Sequence, residues 1–174
     1  ESEAKRALWS QVEQIASGLC QPHNSLNVHL SGPSGIEKDR VANAIHGLSG
    51  RSSFAMLSPK DHEANSALAV SMAGGTLYLR ECDCLRDTVQ ATIYGAVSSR
   101  VWQGAPLDTL LLIDTPRTTV ADYSADQHVK SAAGFSATLV RNVPEGWAFL
   151  DIPVLRKRVT DVPLLVNKML GLLG

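Results

Sequence analysis

The stretch Asp108–Asp114, DTLLLID, most narrows what this chain can fold into. It is apolar almost without a break, which a strand needs when both of its faces are covered, as in a parallel sheet flanked by helices. Four other runs read as strands: LNVHL (Leu26–Leu30), SFAML (Ser53–Leu57), GGTLYL (Gly74–Leu79, entered through paired glycines) and WAFLDIP (Trp147–Pro153). Helical spacing lies between them. Leu8, Val12, Ile15, Ala16 and Leu19 share a face in 2–19, and Val41, Ala42 and Ile45 share one that ends near Gly47 or Gly50. Ser66–Met72 reads as helical, and Leu85, Val89, Thr92, Ile93 and Ala96 mark another helix. A last helix, capped by Thr160 or Asp161, turns Val162, Leu165, Val166, Met169 and Leu170 inward, while TTVADYSADQHVK is loop or surface helix. Strands alternating with helices predict one three-layer parallel α/β domain over 1–174. Right-handed crossovers place the carboxyl ends of its strands on one edge, where ligands bind.

Composition excludes several classes. A net charge of −1 gives no bulk attraction to nucleic acid or membrane. No apolar run approaches the ~20 residues of a membrane span, and the charged start ESEAKRALWS lacks a secretory core. Cys20, Cys82 and Cys84 set up no disulfide framework. The C-x-C pair lacks the further ligands of a zinc site, so no metal is expected and reduced, buried thiols are.

One loop carries chemistry. His29–Asp39 reads HLSGPSGIEKD, close to the phosphate-binding pattern G-x-x-x-x-G-K-[ST], whose backbone N–H groups and lysine hold phosphates at a helix N-terminus. Gly32 and Lys38 match, with Pro33, Ser34, Gly35 and Ile36 between them and Glu37 before the lysine. Glu37 stands where glycine is asked for and Asp39 where a hydroxyl is.

The loop and the helix after it, GPSGIEKD then RVANAIH, are similar to GESGTGKE and LVARAIH of the AAA+ domain of bacterial sigma-54-dependent transcription activators. MAGGTLYLRE resembles that family's AxGGTLFLDE, and LRKRVTDVPLL (Leu155–Leu165) its LRERxxDIPLL. The three motifs occur in order across most of the chain. The resemblance implies a P-loop NTPase α/β subdomain without the helical lid, as part of a longer protein. It assigns Gly32, Ser34, Gly35, Glu37, Lys38 and Asp39 to a vestigial nucleotide site, Arg80 and Glu81 to the second motif, and Thr115 to the γ-phosphate sensor.

The departures weigh on function. Glu37 replaces a glycine whose torsions L-residues dislike, and an acid there costs about 4 kcal/mol against each like charge at ~4 Å and an effective dielectric of ~20, before screening. Arg80 replaces the aspartate that helps hold Mg²⁺, leaving Glu81, at the water-activating position, little to work on. Phe54–Gly74 lacks the GAFTGA insertion that touches sigma-54. Pro116 replaces the sensor amide, and Arg141 is the one, poorly aligned, arginine-finger candidate. Glu37 and Arg80 are expected to pair across the site. The simplest alternatives make Lys38 a solvated helix-start lysine, Glu81 a cap or a partner of Arg80, and Arg156 and Arg158 structural or subunit-edge residues. Trp9, Trp102 and Trp147 read as core or edge packing.

The resemblance and its departures together imply a degenerate, cytoplasmic AAA+ core of a bacterial transcriptional regulator. Its ATP hydrolysis is lost or very weak, and it serves assembly, ligand sensing or protein interaction. No cofactor is expected, and ATP or ADP with Mg²⁺ would be held weakly. Partners are protein subunits or regulatory proteins, with DNA reached only through a domain outside this chain and with no membrane or sigma-54 contact. The alternatives are a pseudo-ATPase adaptor without a DNA role, a weak ATP-binding protein, a working ATPase with altered metal binding, and a replacement ligand such as a cyclic dinucleotide.

Overall fold

The structure is a computed structural model that describes residues 2–19, 27–61, 64–71, 73–115, 135–143 and 146–171. Its organising element is β6 (Asp108–Thr115), buried from Thr109 onward. Leu110 and Leu112 enter one core and Leu111 and Ile113 the other, one on each face of the sheet. This is the strand that the apolar run demanded. Beside it lie β1 (Asn27–Ser31) and β3 (Ala73–Leu79), with β2 (Phe54–Leu57) and β7 (Trp147–Asp151) outermost. All pairings in the order β2-β3-β6-β1-β7 are parallel. The five predicted strands are therefore all present. The paired glycines lie within β3, as the predicted strand had them, and Gly74, at φ 76°, sits where the β3–β6 register shifts.

Helices cover both faces. α1 (Glu3–Leu19) and α2 (Lys38–Ser49) pack together over one core with Leu8, Val12, Val41 and Ile45. The other core is closed by α3 (Asn65–Ser71), α4 (Asp87–Ser99) and α5 (Phe135–Asn142), through Leu68, Val89, Ile93 and Leu139. α2 stops at Gly50, which takes the left-handed conformation that glycine adopts without strain. Trp9, Trp102 and Trp147 pack partly buried against these cores, as expected.

The structure adds one element and changes one expectation. A short antiparallel pair, β4 (Val101–Trp102) and β5 (Ala105–Pro106), turns through Gln103 and Gly104, both at positive φ. The sequence carried its signal, a residue-glycine pair between short apolar runs. α6 (Val162–Gly171) begins after Asp161, but that carboxylate does not serve α6: it accepts the Ser2 amide and hydroxyl, each at 2.8 Å, and ties the start of α1 to the far end of the chain. The polar stretch from Thr118 to Lys130 lies outside the described residues. No helix of the described residues is long and apolar enough to cross a membrane.

Candidate functional site

β1 delivers the glycine loop to the carboxyl edge of the sheet. Gly32 leaves the strand at φ 138°, where an added Cβ would lie 2.3 Å from Ile36 Cδ1 and 3.1 Å from the Ile152 carbonyl oxygen. Any side chain there is strained by both the torsion and the crowding. Ile36 inserts into the core between β1 and α2 and pins the loop from below. Ser34 and Gly35 form the exposed tip. Glu37 takes φ 67° and ψ 33°, the left-handed region that costs an L-residue about 1–2 kcal/mol. Glu37 thus takes a torsion that favours glycine, at the position where the phosphate-loop pattern asks for one. The Glu37 carbonyl still starts the helix, accepting from the amides of Arg40 (3.0 Å) and Val41 (3.2 Å).

Lys38 is not a solvated lysine. It is 6% exposed, and its Nζ donates to the Gly32 carbonyl and the Thr115 carbonyl, both at 2.9 Å. The Asp114 carboxylate lies 3.7 Å from the same nitrogen. Sequence reasoning left Asp114 as a strand end. In the fold it organises the site, because β6 lies between β1 and β3 and brings its last acid to the glycine loop and the second motif together. Asp114 accepts from the Glu81 amide and, at 2.6 Å, from the Tyr78 hydroxyl. Burial pushes its carboxyl above the usual range, against the pull of Tyr78 and Lys38. Tyr78 was likewise read only as a strand residue. Its hydroxyl also reaches Asp39 Oδ1 at 3.0 Å, and burial, then the nearby Asp114 charge, push its ionisation up.

The expected Glu37–Arg80 pair does not form. Glu37 turns to Arg40 at 3.4 Å and to Arg158 at 3.9 Å, while Arg80 Nε meets Asp39 Oδ1 at 3.5 Å. Two nearer countercharges win. Arg40 lies one helical turn on from Glu37, and Asp39 faces the end of β3. Arg158 is buried and also donates to the Ile36 carbonyl at 3.4 Å, so it braces the loop, whereas Arg156 is exposed. Glu81 stands at φ 46° at the start of a short 3-10 turn. Its carboxylate neither caps that turn nor pairs with Arg80, whose ion pair is with Asp39.

Thr115 is fully buried, its hydroxyl 3.1 Å from His29 Nε2. His29 is held near a pKa of about 4, chiefly by burial. Arg141 is exposed on the last turn of α5, and Pro116 lies outside the described residues. Cys82 is buried and Cys84 exposed, so the C-x-C pair splits between core and solvent. Among the described residues no group of three His, Cys, Asp or Glu side chains could hold a metal ion. The residues at the metal position do not fit Mg²⁺, because Asp39 already carries a guanidinium and Asp114 is engaged by Tyr78, the Glu81 amide and Lys38.

No family model and no curated protein matches the sequence. Solved structures do. NtrX from Brucella abortus in complex with ATP matches with a TM-score of 0.72 at 21% identity, over 95% of this chain and 40% of that one. Its complex with ADP matches at 0.72 and 22%, with the same coverage. The RuvB Holliday junction branch migration motor of Thermotoga maritima matches at 0.59 and 16%, over 87% of this chain and 47% of that one. The chain spans about two fifths of the length of NtrX. At these identities the likeness shows the fold alone: the parallel five-stranded α/β sheet of a P-loop NTPase, as in the matched parts of NtrX and RuvB.

Proposed function

We propose that this chain is the AAA+ core of a bacterial transcriptional regulator, related to the sigma-54-dependent activators, in which ATP hydrolysis is lost or very weak. In this reading the domain serves assembly, ligand sensing or contact with regulatory proteins in the cytoplasm, and makes no sigma-54 contact. The observation that carries it is the position of Lys38. A phosphate lysine must offer its ammonium protons to the ligand. Here the ammonium is buried against two carbonyls and an aspartate of the protein itself. The three motifs in family order support the family, and the short 54–74 stretch, in which α3 is the one helix among the described residues, speaks against a sigma-54 insertion.

Phosphate release from Mg-ATP tests this directly. The expected rate is at background and identical in the parent and Glu81→Ala. Release that falls sharply in Glu81→Ala would show a working ATPase and end the proposal.

A further inference from the structure

We propose that Asp114, Tyr78 and Asp39 form a proton-operated latch, in which a proton held on Asp114 ties the first turn of α2 to β3 and its departure lets that turn go. The chain departs here from the motif it resembles. Where AxGGTLFLDE has phenylalanine, MAGGTLYLRE has Tyr78, and the one added oxygen lands between two acids. It lies 2.6 Å from Asp114 Oδ2 and 3.0 Å from Asp39 Oδ1. A phenol has one proton to give. Two ionised carboxylates at these distances compete for it, and the loser faces a lone pair in a buried place, where an unmet charge costs most. A second proton, on Asp114, removes the conflict: Asp114 donates to the Tyr78 oxygen, and Tyr78 donates to Asp39.

Position makes Asp114 the holder. It is 1% exposed, whereas Asp39 is 45% exposed and has the Arg80 guanidinium at 3.5 Å. The surrounding groups set the balance. Burial lifts the Asp114 carboxyl above the usual range, and the Asp39 charge on α2 adds to this. Lys38, on the same turn, lies 3.7 Å away and favours the ionised form, but its protons go to the Gly32 and Thr115 carbonyls. From beyond β3 come the Glu81 amide, which donates to Asp114, and the Cys82 thiol, which burial keeps neutral. From β1 comes His29, neutral above about pH 4. The Asp83 charge bears on these last two side chains. As pH rises, Asp114 passes its proton to the Tyr78 oxygen while the proton of Tyr78 moves to Asp39 and on to water. The phenol ends neutral with its proton turned to Asp114, and one proton has left. Asp39 is then held by Arg80 and no longer by Tyr78.

The test follows the aspartate side-chain carboxyl carbons by NMR across pH, in isotope-labelled parent, Asp39→Ala, Tyr78→Phe and the double variant. Asp114 is assigned through Asp114→Asn, and folding is checked by thermal unfolding. Asp114 should titrate above the ordinary carboxyl value of about 3.9. Asp39→Ala removes the competing acceptor, frees the hydroxyl for ionised Asp114 and should lower that midpoint by about one pH unit or more. In Tyr78→Phe, which keeps the ring, the same substitution should move it about half as far or less, because the hydroxyl that joins the two acids is gone. Amide hydrogen exchange in the first turn of α2, corrected for its intrinsic pH dependence, should quicken in the parent as pH passes the Asp114 midpoint, and should not in Tyr78→Phe. A midpoint at or below the ordinary value would overturn the latch. So would an equal effect of Asp39→Ala in both backgrounds, which is a through-space charge effect, or exchange in the parent that ignores the midpoint. None of these touches the proposed loss of hydrolysis, which stands or falls on phosphate release.

Discussion

Lys38 and Arg80 are both cations on the same sheet edge, yet they are held in different ways. At the floor of the loop Lys38 is 6% exposed and grips two backbone carbonyls at 2.9 Å. At the mouth, Glu37, Asp39 and Arg80 are 30%, 45% and 44% exposed and meet their charged partners at 3.4 to 3.9 Å, with Asp39 also accepting from the Tyr78 hydroxyl at 3.0 Å. Exposed ion pairs contribute about 0–1 kcal/mol, whereas stripping a buried charge of its partners costs about 3–5 kcal/mol. The floor is thus fixed by partners that belong to the fold, while the mouth can change its residues at little cost to stability. On the proposed reading, this is how the loop would keep its shape while its chemistry is lost.

The comparison breaks if floor and mouth respond alike to substitution. Lys38→Met leaves the Gly32 and Thr115 carbonyls without their donor and Asp114 without its countercharge. It should lose about 3–5 kcal/mol by urea unfolding, against less than about 1 kcal/mol for Arg80→Gln. Similar losses would show that the mouth is as structural as the floor.

His29 gives the floor a pH signature. Burial lowers its pKa from 6.5 to about 4, so between those values the unfolded chain binds the extra proton and the folded one does not. Stability is fully present above about pH 6.5 and is lost as pH falls towards 4, by about 3 kcal/mol over that window. His29→Asn should flatten this part of the stability–pH curve. Asp114 adds the opposite slope at its own place: its pKa is raised, so its contribution is present at low pH and lost as pH rises through its folded value. An unchanged curve in His29→Asn would mean that the acid sensitivity lies elsewhere.

The glycines sharpen the contrast within the loop. Gly32→Ala puts a methyl against Ile36 and the Ile152 carbonyl at a forbidding φ and should cost about 2–3 kcal/mol. Gly35→Ala, also at positive φ but with nothing within 4 Å of the added carbon, should cost about 1 kcal/mol. Equal losses in denaturant titrations would mean that backbone torsion, not packing, sets both.

How much of this was legible follows from what sequence encodes locally. The five strands were readable because their apolar runs are local, and the glycine loop because its motif is contiguous. The partners of that loop were not. Asp114 and Tyr78 reach it only because β6 inserts between β1 and β3, and strand order is a property of the whole sheet. An acid closing a fully apolar strand was the available hint. The Glu37–Arg80 pairing failed for a related reason. Opposite charges at family positions suggested a contact, but the nearer countercharges, Arg40 and Asp39, decided it.

The smallest effect tests the mouth most directly. Glu37→Gly restores the residue that φ 67° favours and relieves about 1–2 kcal/mol of left-handed strain. Against this, glycine loses more backbone freedom on folding, at about 0.5–1 kcal/mol. The pairs to Arg40 and Arg158, at 3.4 and 3.9 Å, contribute well under about 1 kcal/mol together. The terms nearly cancel, so the unfolding midpoint should stay within about 1 kcal/mol of the parent. A loss above about 2 kcal/mol would place the burden on Arg158, which is 5% exposed and has Glu37 as its carboxylate partner. Through its bond to the Ile36 carbonyl, Arg158 would then make the mouth part of the floor.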